Sequence, residues 1–541
     1  MAAGHPTEVE AALVTLEAGG NAIDAMVAGA FCACVVEPNN AGLAGYGHLS
    51  VWIPEQREFF TVDHGPRAPA AASDDMFTVT GGVLRARDAW PHVEGRESEL
   101  GGLATAVPGA VAGLCAAHRR GGRLPLAVVL EPAIAAADAG VAVDWHLGLT
   151  ILQRLHDIRL QPSAAAALLQ NGDPPTGHDD WGRGSRLDMS ALAGTLRAIA
   201  GEGEAAFINP ERTQYIERAV ADAGGILTAA DIATYVPRIV AETPTRYRGW
   251  NITTAEDDLG HELFGVLANL PLGSLDPGSA AELHLMAEAF GHVFVDALAW
   301  SGDPAVTPEI SAALRDPAYA RIRAEAIDAG HAAPRPISAG TPIGITPPSG
   351  GTGGVTGTTQ VAVIDSDGMA AVVITTIGQD FGCLVHVPET GLFLNTGMAN
   401  YDPAPGRINS IAPGKMPLFG VPAVLATNED DVAVLACGGS GGYRITSSVV
   451  HATVNALDHD APADDAVSWP RVWSQGEETY VDDRLPRATL EALEAMGHAL
   501  APEPLTPAYE PFARVSLVRR HADGTLEAAS DPPWHGAAGA L

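Results

Sequence analysis

The sequence is almost without lysine: Lys415 stands alone against thirty arginines, and 31 basic residues face 65 acidic ones in 541 positions. The formal net charge of −34 repels phosphate backbones and anionic bilayers, so nucleic acid and membrane surfaces are not expected partners. Five cysteines (Cys32, Cys34, Cys115, Cys383, Cys437) are too few for a disulfide framework in so long a chain. Cys32 and Cys34 lie two apart in the apolar run AFCACVV and read as small buried hydrophobes, not as a C-x-x-C site. No apolar run reaches the roughly 18 residues that would cross a bilayer. The opening MAAGHPTEVEAAL has no basic segment followed by an apolar one, so the expected location is the cytoplasm. The 18 histidines show no metal spacing: H-E-x-x-H is absent, and His284 and His292 on one predicted helix, with Asp296, point about 80° apart. Neither a metal nor a cofactor is expected.

What the chain does have is a hydrophobic content of 47%, enough for a large core, with 60 glycines and 40 prolines to supply turns. Residues 7–36 read as a helix broken at Gly19-Gly20, with Asn21 capping a second segment that starts at Ala22. AGLAGYGHLSVWI and EFFTVD read as a strand hairpin, and 110–140, 190–240, 278–298 and 308–329 read as helical. The stretch 331–357 is rich in Pro and Gly, has no acidic residue and no periodicity, and is expected to be an exposed, mobile linker. Directly after it the period changes to two. TTQVAVID, a turn at Ser366-Asp367-Gly368, and MAAVVITTI predict a hairpin. Strands are expected near 391–395, 421–426 and 431–436, then a glycine loop at 438–442 and the helix RITSSVVHATVNAL. The expected division is a helix-rich segment 1–357 and a strand-rich segment 358–541.

A threonine pair that opens a strand is ordinary in itself. Its place directly after a linker is what matters. A cut between Gly357 and Thr358 would give Thr358 a free α-amine, with an ordinary pKa near ~8, beside its own hydroxyl. That is a nucleophile with a built-in base. In the second motif, DVAVLACGGSGGYRITSSVV, glycines precede a helix start, where free N–H groups and the helix dipole favour negative charge. A tight turn, a phosphate cradle, or an oxyanion hole from the amides of Gly441 and Gly442 would each use such a loop. The spacing matches neither the dinucleotide nor the P-loop pattern, which weakens the phosphate option.

Several stretches together resemble the γ-glutamyltranspeptidase family of N-terminal-nucleophile hydrolases: HPTEVEAALVTLEAGGNAIDAMVAGA, VVEPNNAGLAGYGH, AVPGAVAGLCAAHRRGGRLPL, AGGILTAADIATY, MAEAFGHVFVDALAWSGDP, TTQVAVIDSDGMAAVVITTI, GLFLNTGM, APGKMPL and GGSGGYRI. They occur in the family's order. The resemblance implies an α+β fold, a four-layer αββα sandwich, made as one precursor that cuts itself between Gly357 and Thr358. By the same resemblance Thr358 is the nucleophile, Thr376 bonds its amine, Gly441 and Gly442 form the oxyanion hole, and the two segments remain a heterodimer.

The family's glutamyl-binding residues are not retained. Its Arg-Glu pair falls on Gly65-Pro66, an Asn on Gly378, the Glu/Gln and Asp after the LLNN segment on Gly397 and Asn400, and a Ser-Ser pair on Phe419-Gly420. An arginine–carboxylate anchor is geometry-specific, so a substrate other than glutathione is expected: a small acyl or amide compound, an oxalyl-type group among the candidates. Arg67, Asn400, Phe419, Tyr443 and Arg444 are the expected substrate-binding residues, with Tyr46 and His48 at the border of the glycine runs. Branches with altered pockets act on oxamate, on cephalosporins, and on an oxalyl group in natural-product biosynthesis; the implied setting is specialised metabolism or catabolism. The rival readings are a true γ-glutamyl transferase with a rebuilt anchor, a non-catalytic binding protein that never matures, and a nucleotide binder built on 438–442.

Overall fold

A computed structural model describes residues 1–81, 90–175, 184–255, 257–345, 358–506, 512–532 and 535–541. After the short strand β1 (Ala2–Ala3), helix α1 (Pro6–Glu17) starts with proline at its first position, and His5 Nδ1 accepts the Thr7 N–H at 3.1 Å. Helix α2 (Ala22–Val36) opens on a capping box, Asn21 and Asp24 each bonding the other's backbone N–H. It is apolar on all sides and correspondingly buried.

Two sheets form the centre. Strands β2 (Tyr46–Ile53) and β3 (Glu58–His64) precede β4 (Arg238–Ala241), β5 (Thr245–Tyr247) and β6 (Trp250–Thr253). Then come β7 (Thr359–Ile364), β8 (Ala370–Thr376), β9 (Val424–Thr427), β10 (Ala433–Ser440), β11 (Arg514–Arg520), β12 (Leu526–Ser530) and β13 (Ala537–Ala538). The first sheet runs β13-β1-β7-β8-β2-β3-β4 and the second β12-β11-β10-β9-β6-β5. Alternate residues of β7 and β8 face opposite ways. Val361, Val363, Ala371 and Val373 join the core under α2, whereas Ala362, Ile364, Val372 and Ile374 join the core between the sheets. Helices α3 (Trp145–Gln153), α4 (Asp258–Ala268), α5 (Ala280–Trp300) and α6 (Arg444–Asp458) complete what the site needs. With α2 on the first sheet, the sheets on each other, and α6 on the second, the layers are α, β, β, α, as expected.

The β7–β8 hairpin turns where the sequence places it. Asp365 accepts the N–H groups of Asp367 and Met369 with one oxygen, and that of Ala22 at the start of α2 with the other. Two expectations need correction. Gly438, Gly439 and Ser440 belong to β10, so the glycine turn is confined to Gly441 and Gly442. The described part of the expected linker, 331–345, is not a free strap: Ala332 and Ile337 donate their N–H groups to the carbonyls of Met496 and Gly476, at 2.8 and 2.7 Å. Ile337 is buried, Arg335 pairs with Glu288, and Gly340 bonds Asp296 and Trp300. Lack of periodicity rules out a helix or strand, but backbone groups can still find partners on neighbouring elements. Residues 346–357, including Gly357, lie outside the described residues.

Candidate active site

Thr358 sits at the leading tip of β7, 2% exposed. Thr359 pairs with Thr375 across β7 and β8, so the register, carried one step on, sets Thr376 opposite Thr358. Two side chains hold the Thr358 carbonyl: Ser440 Oγ donates to it, and Arg514 Nη2 donates at 3.3 Å. Ser440 and Arg514 are themselves register partners on β10 and β11, and Arg514 Nη2 also donates to Ser440 Oγ at 2.8 Å. On its other side Arg514 Nη1 reaches Glu37 Oε1 at 3.5 Å, where α2 ends; Asn40 Nδ2 donates to the same oxygen at 2.9 Å. Burial alone would raise the Glu37 carboxyl, but the charge of Arg514, with Glu8 and Thr359 alongside, outweighs it and brings it down to about 2. Glu8, buried beside it, moves well above the usual range through burial and the charge of Glu37. Glu8 is thus biased toward its neutral form and Glu37 toward its ionised one.

Thr376 is fully buried and its Oγ1 accepts the Gly378 N–H at 2.8 Å. Gly378 has φ +89°, and a Cβ there would stand 1.9 Å from Thr396 Oγ1, which itself accepts the Gln379 N–H at 2.8 Å. The space of a side chain at 378 is therefore taken by Thr396. The same holds at Gly397, where a Cβ would meet Ala106 Cβ at 2.6 Å and Pro66 Cβ at 2.7 Å. Asn395 fixes this loop with all its polar atoms: it accepts from Ala106 and Gly397 and donates to Ala44 and Ala106.

Gly441 and Gly442 make the turn from β10 into α6 at φ +140° and +68°, conformations that favour glycine. Among the described residues neither amide has a hydrogen-bond acceptor, and no side chain caps α6, so donors and helix dipole are open to an anion. Arg444 Nε folds back onto the Gly441 carbonyl at 3.0 Å. The Tyr443 ring stands edge-on to Phe294 at 5.5 Å, with its buried hydroxyl unpartnered among the described residues. Phe419 packs on Tyr46 and His48 at 5.4 and 5.2 Å, and Asn400 Nδ2 donates to the Tyr46 hydroxyl at 3.0 Å. A Cβ at Gly420 would be 3.5 Å from Asp257 Oδ1 and 3.7 Å from Tyr443 Cε1, so these two side chains border the Phe419-Gly420 position. Burial, then the neighbouring Asp258, raises Asp257 to about 8.

Thr358, Thr376 and the glycine pair thus converge at strand ends, and Phe419, Tyr443 and Asn400 cluster around Tyr46 and Gly420. Arg67 makes its contacts elsewhere, donating to the Gly414 carbonyl at 3.4 Å and lying over the Tyr235 ring at 5.7 Å. Sequence reasoning missed Ser440, Arg514, Glu37, Thr396 and Asp257. Ser440 lies inside the glycine motif and Glu37 inside VVEP, whereas Arg514 has no local signal at all. Two groups of three potential metal ligands occur among the described residues, but the fold already uses most of their ligand atoms. His284 bonds His498 and the Asp328 carbonyl, and Glu288 pairs with Arg335. In the other group, with His535, the His5 Nδ1 caps α1 and Asp144 caps α3.

Two stacked sheets between helical layers, with a buried threonine at a strand tip and a glycine turn closing a strand of the facing sheet, make up the fold of the N-terminal-nucleophile hydrolases. Cephalosporin acylase from Bacillus halodurans has that fold at a TM-score of 0.83 and 23% identity, over 99% of this chain and 94% of that one. Residues 9–541 match the family described as Gamma-glutamyltranspeptidase, and the chain belongs to that family of enzymes. It is 34% identical to the acylase ACY 1 proenzyme of Pseudomonas sp. (strain SE83), over 97% of this chain and 90% of the relative. It is also 27% identical to the oxamate amidohydrolase proenzyme of Klebsiella pneumoniae, over 99% and 97% of the two. No helix among the described residues is long and apolar enough to cross a membrane.

Proposed function

We propose that the chain is a self-cleaving N-terminal-threonine hydrolase acting on a small acyl or amide compound rather than on glutathione. The observation that carries this reading is the buried tip of β7, where the Thr358 carbonyl is clamped by Ser440 and Arg514. A cut between Gly357 and Thr358 divides the chain into segments 1–357 and 358–541, which stay together as a heterodimer. Thr358 Oγ attacks the substrate carbonyl while its α-amine takes the hydroxyl proton. The amides of Gly441 and Gly442 stabilise the oxyanion, and the amine returns the proton to the leaving group. Water then releases the acyl group by the same steps. Thr376, opposite Thr358, orients the amine.

The change of substrate is supported by how the altered positions pack. Thr396 fills the room beside Gly378, and Pro66 and Ala106 fill the room beside Gly397, so the family's polar side chains have no space to return. Phe419, Tyr443 and Asn400 line the acyl side, with Arg67 beside the altered Gly65-Pro66 and Arg444 beside the Gly441-Gly442 turn as candidate cations. The names of the acylase and oxamate amidohydrolase relatives point to short acyl amides, oxalyl-type groups included.

The test is a denaturing intact-mass spectrum of the purified chain beside Thr358→Ala, followed by an amide panel that includes a γ-glutamyl anilide. Two fragments, the smaller beginning at Thr358 and absent from the variant, with hydrolysis of acyl amides and none of the γ-glutamyl anilide, are expected. A single uncut chain that stays uncut for days overturns the catalytic reading. Efficient γ-glutamyl hydrolysis overturns the substrate reading.

A further inference from the structure

The group that holds the Thr358 carbonyl is charged, and its charge reaches the Thr358 nitrogen. We propose that Arg514 is a positioning residue that raises the share of the mature Thr358 α-amine that is unprotonated at neutral pH; this rests on the function proposed above. The amine must be free before it can accept the hydroxyl proton, because an ammonium group has no lone pair for it. A cation close by disfavours that ammonium.

The distances are short. Arg514 Nη2 is 3.3 Å from the Thr358 carbonyl oxygen, and a residue's nitrogen lies about 3 Å from its own carbonyl oxygen, so the guanidinium stands roughly 6 Å from the amine. The guanidinium is buried, 4% exposed, so little water screens it. At that range and an effective dielectric of ~20 a single cation lowers an amine by about two pH units. Glu37, on the far side of Arg514, gives back part of this, which leaves about one unit.

Burial and pairing set the charge of the other titratable groups packed around this end. Glu8 on α1 is biased toward its neutral form by burial and by the charge of Glu37. His5, ahead of α1, and His146 on α3 are both pushed down by burial first, His146 to about 4, so they are uncharged at neutral pH. Asp144 caps α3 and faces His535 at 3.6 Å. Asp380, after β8, is raised by burial against the pull of Arg154 and Arg514. Arg444 is turned onto the Gly441 carbonyl. The Arg514–Glu37 pair, with the cation on the Thr358 side, is the arrangement that acts on the amine.

The experiment compares the pH dependence of kcat/KM for wild type, Arg514→Lys and the double variant Arg514→Met/Glu37→Gln on whichever amide the wild type cleaves best. Arg514→Met alone would leave Glu37 buried without its partner and risk misfolding; the double variant removes both charges together. Each protein is first checked by intact mass for the cut before Thr358. The acidic limb is expected to stay in place in Arg514→Lys and to move up by about one pH unit in the double variant, since the amine then holds its proton to higher pH. Loss of rate at all pH values with an unmoved limb would show a purely structural role and overturn the proposal. A wild type that is never cut at Thr358 refutes the underlying function, and this proposal with it.

Discussion

Gly378 offers the sharpest test of how the pocket changed. In Gly378→Ala the new Cβ would stand 1.9 Å from Thr396 Oγ1 in a backbone at φ +89°. The left-handed conformation costs about 1–2 kcal/mol for a residue with a Cβ. Displacing a packed neighbour costs about 1–3 kcal/mol more. Together this is roughly 2–5 kcal/mol. An unfolding entropy of ~2.1 cal/mol/K per residue gives about 1.1 kcal/mol/K for the whole chain, so the melting temperature should fall by about 2–4 °C. Thr396→Ala alone removes the acceptor of the Gln379 N–H, worth about 1 kcal/mol. Because the two sites touch, the double variant should lose less than the sum of the singles, which a melting series over the four proteins measures. Gly378→Asn should likewise fail to bring γ-glutamyl activity back. An unchanged melting temperature in Gly378→Ala, or strict additivity with Thr396→Ala, would refute the claim that Thr396 occupies this space.

Ser440→Ala removes one of the two donors on the Thr358 carbonyl and an acceptor of Arg514, and should slow maturation about tenfold, followed as the cut fraction by intact mass. Asp257 is held neutral by burial up to about 8, whereas in the unfolded chain it ionises near ~3.9. Its contribution to stability is therefore complete below about pH 4 and lost progressively as pH rises to 8. Asp257→Asn keeps an acceptor for the Gly260 N–H and should flatten the fall in melting temperature between pH 5 and 8; an unaltered slope would count against the buried neutral acid.

Much of the architecture is written in local signals. The Asn21 cap, the turn at Asp367-Gly368 and the change of period at Thr359 are contacts within a few residues, and the structure has all three where the chain pattern puts them. The same locality explains the failures. Arg514 meets Ser440 and Glu37 across 74 and 477 positions of chain, and no periodicity announces such a meeting. Arg335 and Ile337 sit in a stretch whose composition suggests a loose strap, yet they are held by Glu288 and Gly476, which belong to other elements. Arg67, expected at the substrate, likewise has partners from distant parts of the chain, the Tyr235 ring and the Gly414 carbonyl.

The strand order of the first sheet also sets a sequence of events in time. Ala2 and Ala3 lie between Ala537–Ala538 and β7, and Met1 and Gly539 exchange both backbone hydrogen bonds, while β7 and β8 are flanked on either side by strands from before residue 255. Such interleaving forms readily in one continuous chain, where every strand is tethered to its neighbours. Once the bond ahead of Thr358 is broken, the same sheet could be rebuilt only by two separate molecules meeting, and recovery from denaturation would depend on concentration. On the function proposed above, folding therefore comes first and cleavage second, and a cut enzyme would keep its shape as an inheritance from the continuous chain.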